Sequence, residues 1–129
     1  MALAVPVLGA TSAAAATEVG FDNVVTGYYH TCAITPSGTV KCWGLNDTGQ
    51  LSSAAGGATS TNVPVQVPGL TNVVDLALGH NHTCALTETR QVYCWGSNNS
   101  GQLGKAGAST STPGRRQQHR RQDGSDHRR

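Results

Sequence analysis

Aromatic and other large apolar residues are scarce in this 129-residue chain, which has one Phe, one Met, two Trp and three Tyr beside 16 Gly. Few large side chains and many turn formers are typical of short strands joined by tight turns, and they argue against a helical protein. The acidic residues are scattered and form no paired-carboxylate signature, and the glycines fall in turns, so no phosphate-binding loop precedes a helix. The sequence therefore predicts no catalytic residues and no cofactor.

Basic residues are scarce in most of the chain, although the formal net charge is +2. Six Arg and two Asp follow residue 112, whereas residues 1–112 contain three basic and five acidic residues. A polar, Arg-rich stretch cannot bury surface, so we expect 105–129 to form a linker and a disordered tail, with 114–129 outside the sheet. The tail could contact nucleic acid through phosphates, but no aromatic or folded partner accompanies it, and the solvated interpretation is favoured.

The first 16 residues, MALAVPVLGATSAAAA, form an apolar run of small and aliphatic residues. Such a run, ending in an A-x-A pattern, suits a secretory signal and is too short for a membrane-spanning helix. No Lys or Arg precedes it, so a disordered Ala-rich leader is the alternative. We expect cleavage near Thr17 and a secreted protein.

Two stretches of the chain repeat each other. Gly27–Leu51 and Gly79–Leu103 are 52 residues apart and agree at 14 of 25 positions without a gap. Self-similarity at such a period indicates an array of supersecondary units, each unable to bury its apolar face alone.

Each repeat contains a hairpin in which two β-prone runs flank a three-residue turn. Pairing outward from the turns places Cys32 opposite Cys42 and Cys84 opposite Cys94. Opposed residues on antiparallel strands have Cβ atoms close enough for a disulfide. We therefore predict these two disulfides; zinc is disfavoured because no short Cys-x₂₋₄-Cys spacing occurs, and free thiols are the remaining alternative.

Further strands are predicted around the hairpins. Residues 63–68 have the character of an edge strand, where proline is tolerated, and residues 72–78 that of a more buried strand. One period thus holds about four short strands, enough for one propeller blade. The repeated residues His30 and His82 are expected to make structural hydrogen bonds, and Trp43 and Trp95 to pack within or between blades.

The pattern G-x-x-H-T-C-A-[IL]-T … V-x-C-W-G-x-N-x-x-G-Q-L, repeated in phase, resembles the repeat of the regulator of chromosome condensation family. The resemblance implies an all-β fold with two blades (residues 17–104) of a β-propeller whose family members have seven, and the paired cysteines resemble its secreted bacterial branch. Members include nucleotide-exchange factors and a β-lactamase inhibitor, but none of their contact residues can be carried over.

The function predicted is a secreted or cell-surface, non-catalytic binding module that recognises a protein or a surface polymer. The binding residues are unassigned, and no metal, cofactor or membrane span is expected. Because two blades leave two uncovered faces, self-association is a further expectation. The alternative is a truncated or frame-shifted fragment of a larger propeller protein, and an enzyme is the least favoured reading.

Overall fold

The computed structural model describes residues 20–116, which form two four-stranded antiparallel sheets. In each sheet the strands pair in chain order, which is the meander of a propeller blade. A short 3₁₀ turn follows β3, and no α-helix occurs between residues 20 and 116. The first sheet comprises β1 (Asn23–Thr26), β2 (His30–Ile34), β3 (Val40–Leu45) and β4 (Ser60–Gln66), and the second β5 (Val73–Leu78), β6 (His82–Thr87), β7 (Val92–Gly96) and β8 (Thr110–Arg115).

The predicted all-β, two-blade fold is thus confirmed, and the two sheets form an open assembly, not a closed ring. The leader predicted for residues 1–16 and the end of the Arg-rich tail lie outside the described residues.

Both hairpins have the register predicted from the sequence. Cys32 lies opposite Cys42, and Cys84 lies opposite Cys94. The Cα atoms of each pair are 4.1 Å apart, and the structure joins the two sulfurs of each pair. Such a short separation is characteristic of non-hydrogen-bonded pairs, in which the side chains approach most closely.

A threonine closes the turn of each hairpin. The hydroxyl of Thr35 accepts a hydrogen bond from the backbone N–H four residues later at 3.2 Å, and Thr87 does the same in the second repeat, also at 3.2 Å. The turn also needs one residue in the left-handed region, which is Gly38 (φ 83°) in the first hairpin and Arg90 (φ 68°) in the second. The second turn therefore forms without the glycine that such a backbone favours.

Strand β8 (Thr110–Arg115) corrects the expectation that 114–129 lies outside the sheet, because Gly114 and Arg115 belong to this strand, which begins within the predicted linker. This strand pairs with β7, and just after it the Arg116 N–H donates to the Val92 carbonyl at 2.8 Å. An edge strand is held by backbone N–H and C=O groups, which a polar sequence supplies as well as an apolar one. Pro113 fits because it lies where the register shifts between β7 and β8, and a proline is tolerated at such a bulge.

Alternation of side chains gives each sheet two different faces. We call the face with the cysteine pair the forward face and the face with the tryptophan the rear face. The forward faces carry His30, Cys32, Ile34, Val40 and Cys42 in the first sheet and His82, Cys84, Leu86, Val92 and Cys94 in the second. The rear faces carry Thr31, Ala33 and Trp43 in the first sheet and Thr83, Ala85 and Trp95 in the second.

The core lies where the forward face of the first sheet packs on the rear face of the second. The first sheet contributes its cysteine pair, and the second contributes Leu76, Ala85 and Trp95. Leu51, from the loop after β3, fills the same cluster and is fully buried. One blade therefore buries its apolar face only because the next blade covers it.

Candidate functional site

Three hydrogen bonds join the two sheets through buried groups. His30 Nε2 lies 2.9 Å from Thr83 Oγ1, and the Thr83 hydroxyl donates to the Gln50 carbonyl at 2.9 Å. The indole N–H of Trp95 donates to the same carbonyl at 2.9 Å. We call these four residues the junction network; none of them is more than 2% exposed.

The direction of these bonds assigns the proton on His30. The single hydroxyl hydrogen of Thr83 goes to Gln50, so Thr83 Oγ1 must accept from an Nε2–H of the imidazole. The other ring nitrogen, Nδ1, is buried and has no hydrogen-bond partner among the described residues. His30 is therefore a neutral ring that links the blades, in agreement with the structural role expected for it.

Burial lowers the pKa of His30 to about 4, and the neighbouring His82 contributes to the same shift. The His82 backbone acts in the opposite sense and raises the pKa, but it does not offset the burial, and Nδ1 makes no hydrogen bond within residues 20–116. Burial also lowers the pKa of His82. Because both imidazoles favour the neutral form, neither provides a positive charge for binding a ligand.

The repeated asparagines hold the loop that follows the hairpin in each repeat. The side chain of Asn46 accepts from the Leu51 N–H at 2.9 Å and donates to the Ala58 carbonyl at 2.8 Å. Asn98 likewise accepts from the Leu103 N–H, at 3.0 Å. These amides are used in shaping the loops, so the residues that repeat most clearly in sequence form the scaffold.

The cysteines also belong to the scaffold. Cys32 and Cys42 are fully buried in the junction between the sheets, whereas Cys84 is half-buried on the outer forward face. Within residues 20–116 no three His, Cys, Asp or Glu side chains gather where they could hold a metal ion. In the same part of the chain no helix has the length and apolar character needed to cross a membrane.

Three aromatic rings that do not repeat meet on the surface at the loop end of the sheets. Tyr28 lies with its ring centroid 4.1 Å from that of His80 and 5.2 Å from that of Tyr29. The third pair, Tyr29 and His80, meets edge to face at 6.2 Å. The tyrosines are 65% and 63% exposed. We call these three residues the rim patch.

The two loops that carry the rim patch are held against each other. Tyr28 and Tyr29 follow Gly27 at the end of β1, and His80 follows Gly79 at the end of β5. A Cβ atom on Gly27 would lie 2.6 Å from the Gly79 carbonyl oxygen, so the loops approach as closely as glycine allows. The rim patch therefore exists only where one blade packs on the next.

Sequence reasoning left the binding residues unassigned and did not single out the rim patch. A signal was available, because positions 28 and 29 differ from positions 80 and 81 between flanking residues that are the same in both repeats. The three rings occupy this variable site in a chain that has few aromatics. Variable residues on a repeated scaffold mark the surface on which specificity can differ.

The rim patch has the chemistry of a protein contact site. Tyrosine is enriched where proteins bind each other, because it offers large apolar area and one polar group at a low entropic cost. The exposed ring faces could also receive a guanidinium or ammonium group. The exposed rings are therefore suited to binding.

Comparison with family models places the repeat in a known family. Models of the regulator of chromosome condensation (RCC1) repeat match residues 21–50 and 73–102, and a second model of this repeat matches residues 37–86. Together the matches span both sheets through β7.

Relatives and a solved structure agree with the family models. The chain is 38% identical over 86 residues to protein RCC2 of Homo sapiens, with 65% of this chain and 16% of RCC2 covered. It is 37% identical over 78 residues to the ultraviolet-B receptor UVR8 of Arabidopsis thaliana, with 60% of this chain and 18% of UVR8 covered. The chain thus spans less than a fifth of these relatives.

In three dimensions the chain resembles the crystal structure of Kap60 bound to yeast RCC1 (Prp20), with a TM-score of 0.71 at 18% identity. The similarity covers 83% of this chain and 27% of that chain. At this identity the likeness concerns the fold. The repeats, their blade-like sheets and the family matches together show that the chain belongs to the regulator of chromosome condensation (RCC1) repeat family.

Proposed function

We propose that this chain is a non-catalytic binding module that recognises a protein through the rim patch. The observation that carries the proposal is the cluster of Tyr28, Tyr29 and His80, which places two largely exposed tyrosines against a histidine on the surface. Exposed tyrosine rings are enriched at surfaces through which proteins bind each other.

The surrounding scaffold supports binding because it fixes the rings in place. Gly44 has a φ of 110°, and a Cβ atom there would lie 2.5 Å from the Tyr29 carbonyl oxygen, so the backbone beneath Tyr29 is tightly packed. Thr48, from the first repeat, donates to the Asn81 carbonyl of the second repeat at 3.1 Å, next to His80. Rings held on a rigid support lose little entropy on binding.

The choice of a protein as partner draws on the family. The similar solved structure is that of yeast RCC1 (Prp20) in complex with another protein, Kap60. A protein of this fold thus has a protein partner, and the rim patch offers the aromatic area that contacts between proteins use. Which protein the chain binds follows from its own variable residues.

We further propose that the protein works outside the cell or at the cell surface. Both cysteine pairs lie within bonding distance in the structure, and disulfides persist in oxidising compartments. The apolar run in residues 1–16 agrees with a secretory signal. Fractionation of the native host tests this: the protein is expected in the medium or envelope with its N-terminus near Thr17, and an uncleaved chain confined to the cytoplasm would contradict it.

The binding proposal is tested with the purified chain immobilised and exposed to secreted and surface-extracted proteins of its host. Bound proteins are quantified by mass spectrometry for the wild type, for the double variant Tyr28→Ala/Tyr29→Ala, and for Val63→Ala. Val63 is 62% exposed on the edge strand β4, takes no part in the ring contacts of the patch, and serves as the matched control.

We expect at least one protein to be retained by the wild type and the control and reduced about tenfold or more in the double variant, since aromatic anchors carry much of the energy of an interface. Unfolding curves should show that both variants keep the wild-type stability. Equal retention by all three chains would refute the role of the rim patch. Retention of a purified envelope polymer, with no protein retained, would refute the proposed partner class.

A further inference from the structure

The junction between the sheets combines two unlike faces. The forward face of the first sheet supplies an imidazole, and the loop behind it supplies the carbonyl of Gln50. The rear face of the second sheet supplies the hydroxyl of Thr83 and the indole N–H of Trp95. Because the sequence repeats, each of these groups has a counterpart on an outer face of the molecule.

The outer forward face, on the second sheet, repeats the first half of the junction. His82 stands where His30 stands in the first repeat, and neither its ring nor the Gln102 carbonyl is hydrogen-bonded to another residue within 20–116. Leu86 and Val92 are half-buried, whereas their counterparts in the first sheet are buried. A hollow of about 200 Å³ runs along this face. It is lined mainly by apolar groups, among them Ala77, Cys84, Leu86 and Val92.

The outer rear face, on the first sheet, repeats the second half. Thr31 and Trp43 occupy the places of Thr83 and Trp95, and each is half-buried where its counterpart is fully buried. Neither side chain is hydrogen-bonded to another residue in the described part of the chain. Beside Trp43 lies the ring of Phe21, at 5.7 Å between centroids, and Val24 on the same face is 54% exposed.

We propose that these two faces bind each other between copies of this chain, so that the protein associates head to tail through a repeat of its own internal junction. The imidazole of His82 on one copy donates to Thr31 on the next, as His30 donates to Thr83 inside the chain. The Gln102 carbonyl then accepts from Thr31 and from the Trp43 indole of that next copy.

The internal junction indicates that the partner is a second copy of the chain and that its rear face meets the forward face of the first. A forward face set against another forward face would offer Gln102 neither a hydroxyl nor an indole, and two rear faces would offer no imidazole. A head-to-tail contact between unlike faces either closes into a ring or continues as an open chain. The described residues of each copy form two sheets, so a ring built from residues 20–116 alone has an even number of blades, such as six from three copies or eight from four.

Two variants block one face each. Leu86→Glu places a charge on the outer forward face, and Trp43→Glu places one on the outer rear face. Val63→Glu, at an exposed position of β4, is the matched control. Circular dichroism and mapping of the two cysteine linkages establish that each variant is folded before its mass is measured by light scattering after size exclusion.

Measured as the full 129-residue chain, the wild type and Val63→Glu are expected at twice 13.3 kDa or more. Each blocking variant alone is expected at 13.3 kDa, because one of its two faces is lost. An equal mixture of the two is expected to form a complex of one copy of each, since the forward face of Trp43→Glu and the rear face of Leu86→Glu are both intact.

Three outcomes of the mass measurements would overturn the proposal: a wild type that stays monomeric at every concentration, a blocking variant that self-associates like the wild type, or two folded variants that do not combine.

A second experiment uses the wild type alone and follows its tryptophan fluorescence. The emission of Trp43 should move to shorter wavelength as concentration rises, because Trp95 is buried in the single copy already; emission independent of concentration counts against association. A monomer with Trp43 shielded by its own chain would likewise overturn it. Failure here leaves the rim-patch test unaffected, because that test compares retention of other proteins.

Discussion

Replacing Thr83 by valine should show how much the hydrogen bonds between the two blades contribute to stability, because it leaves their apolar packing intact. Valine keeps the shape of threonine but removes the hydroxyl that accepts from His30 and donates to Gln50. The Nε2–H of His30 would then be buried without an acceptor, while the Gln50 carbonyl keeps the bond from Trp95. A buried donor left unsatisfied costs about 1–3 kcal/mol.

We therefore expect the free energy of unfolding to fall by about 2 kcal/mol, which for a domain of this size lowers the melting temperature by roughly 8–16 °C. The matched control is Thr31→Val, the same position in the first repeat, whose hydroxyl has no partner within residues 20–116. Its effect should stay within about 0.5 kcal/mol.

Both substitutions are best measured in the Leu86→Glu background, in which the chain is expected to be monomeric, by thermal and urea unfolding. Monomer is needed because Thr31 would otherwise lie in the contact between copies. Equal stability of the Thr83→Val and Thr31→Val proteins would refute the junction network as a source of stability. A much larger loss in Thr31→Val would show that the faces are assigned the wrong way round.

Three further outcomes follow from the same contacts. Because burial depresses the pKa of His30 to about 4, below the ordinary value near 6.5, the unfolded chain binds the proton more readily than the folded chain. The free energy of unfolding should therefore fall by on the order of 2 kcal/mol as the pH drops from 6.5 to 4. If the same dependence on pH persists in His30→Gln, the assignment of this effect to His30 is wrong. Gly27→Ala should destabilise the chain by about 2 kcal/mol because its Cβ would press on the Gly79 carbonyl and the His30 ring. The control Gly114→Ala, whose Cβ would have no neighbour closer than 3.4 Å, should be nearly neutral. Similar melting curves for the two variants would count against the close approach of the loops. Non-reducing peptide mapping should find one linkage within each hairpin, each contributing roughly 2.5–3 kcal/mol by loop entropy; a linkage between the hairpins would exclude the pairing.

Local sequence was sufficient to predict the hairpins because their register depends on residues close to each turn. Thr35 and Thr87 close the turns through their own side chains, and counting outward from the turn then sets each cysteine opposite its partner. The period of the repeat predicted the number of blades for the same reason. Each blade is a local unit, so its strands could be assigned one after another.

Features that depend on a neighbouring element were not predicted. Strand β8 is held by the backbone of β7, and its own sequence lacks the apolar residues from which a strand is predicted. The rim patch forms because Tyr28 and His80, 52 positions apart, are brought together when one blade packs on the next. The direction of the hydrogen bond from His30 to Thr83 also depends on that packing. Sequence spacing alone contains none of these distances.

The central claim is that two blades pack in register and so assemble the rim patch, and an NMR measurement tests it most directly. In the folded Leu86→Glu monomer we expect nuclear Overhauser contacts between the ring protons of Tyr28 and those of His80, whose centroids lie 4.1 Å apart. We also expect the indole N–H of Trp95, hydrogen-bonded to Gln50, to exchange far more slowly than that of Trp43. A folded chain without the Tyr28–His80 contact, in which both indoles exchange at the same rate, would contradict the account.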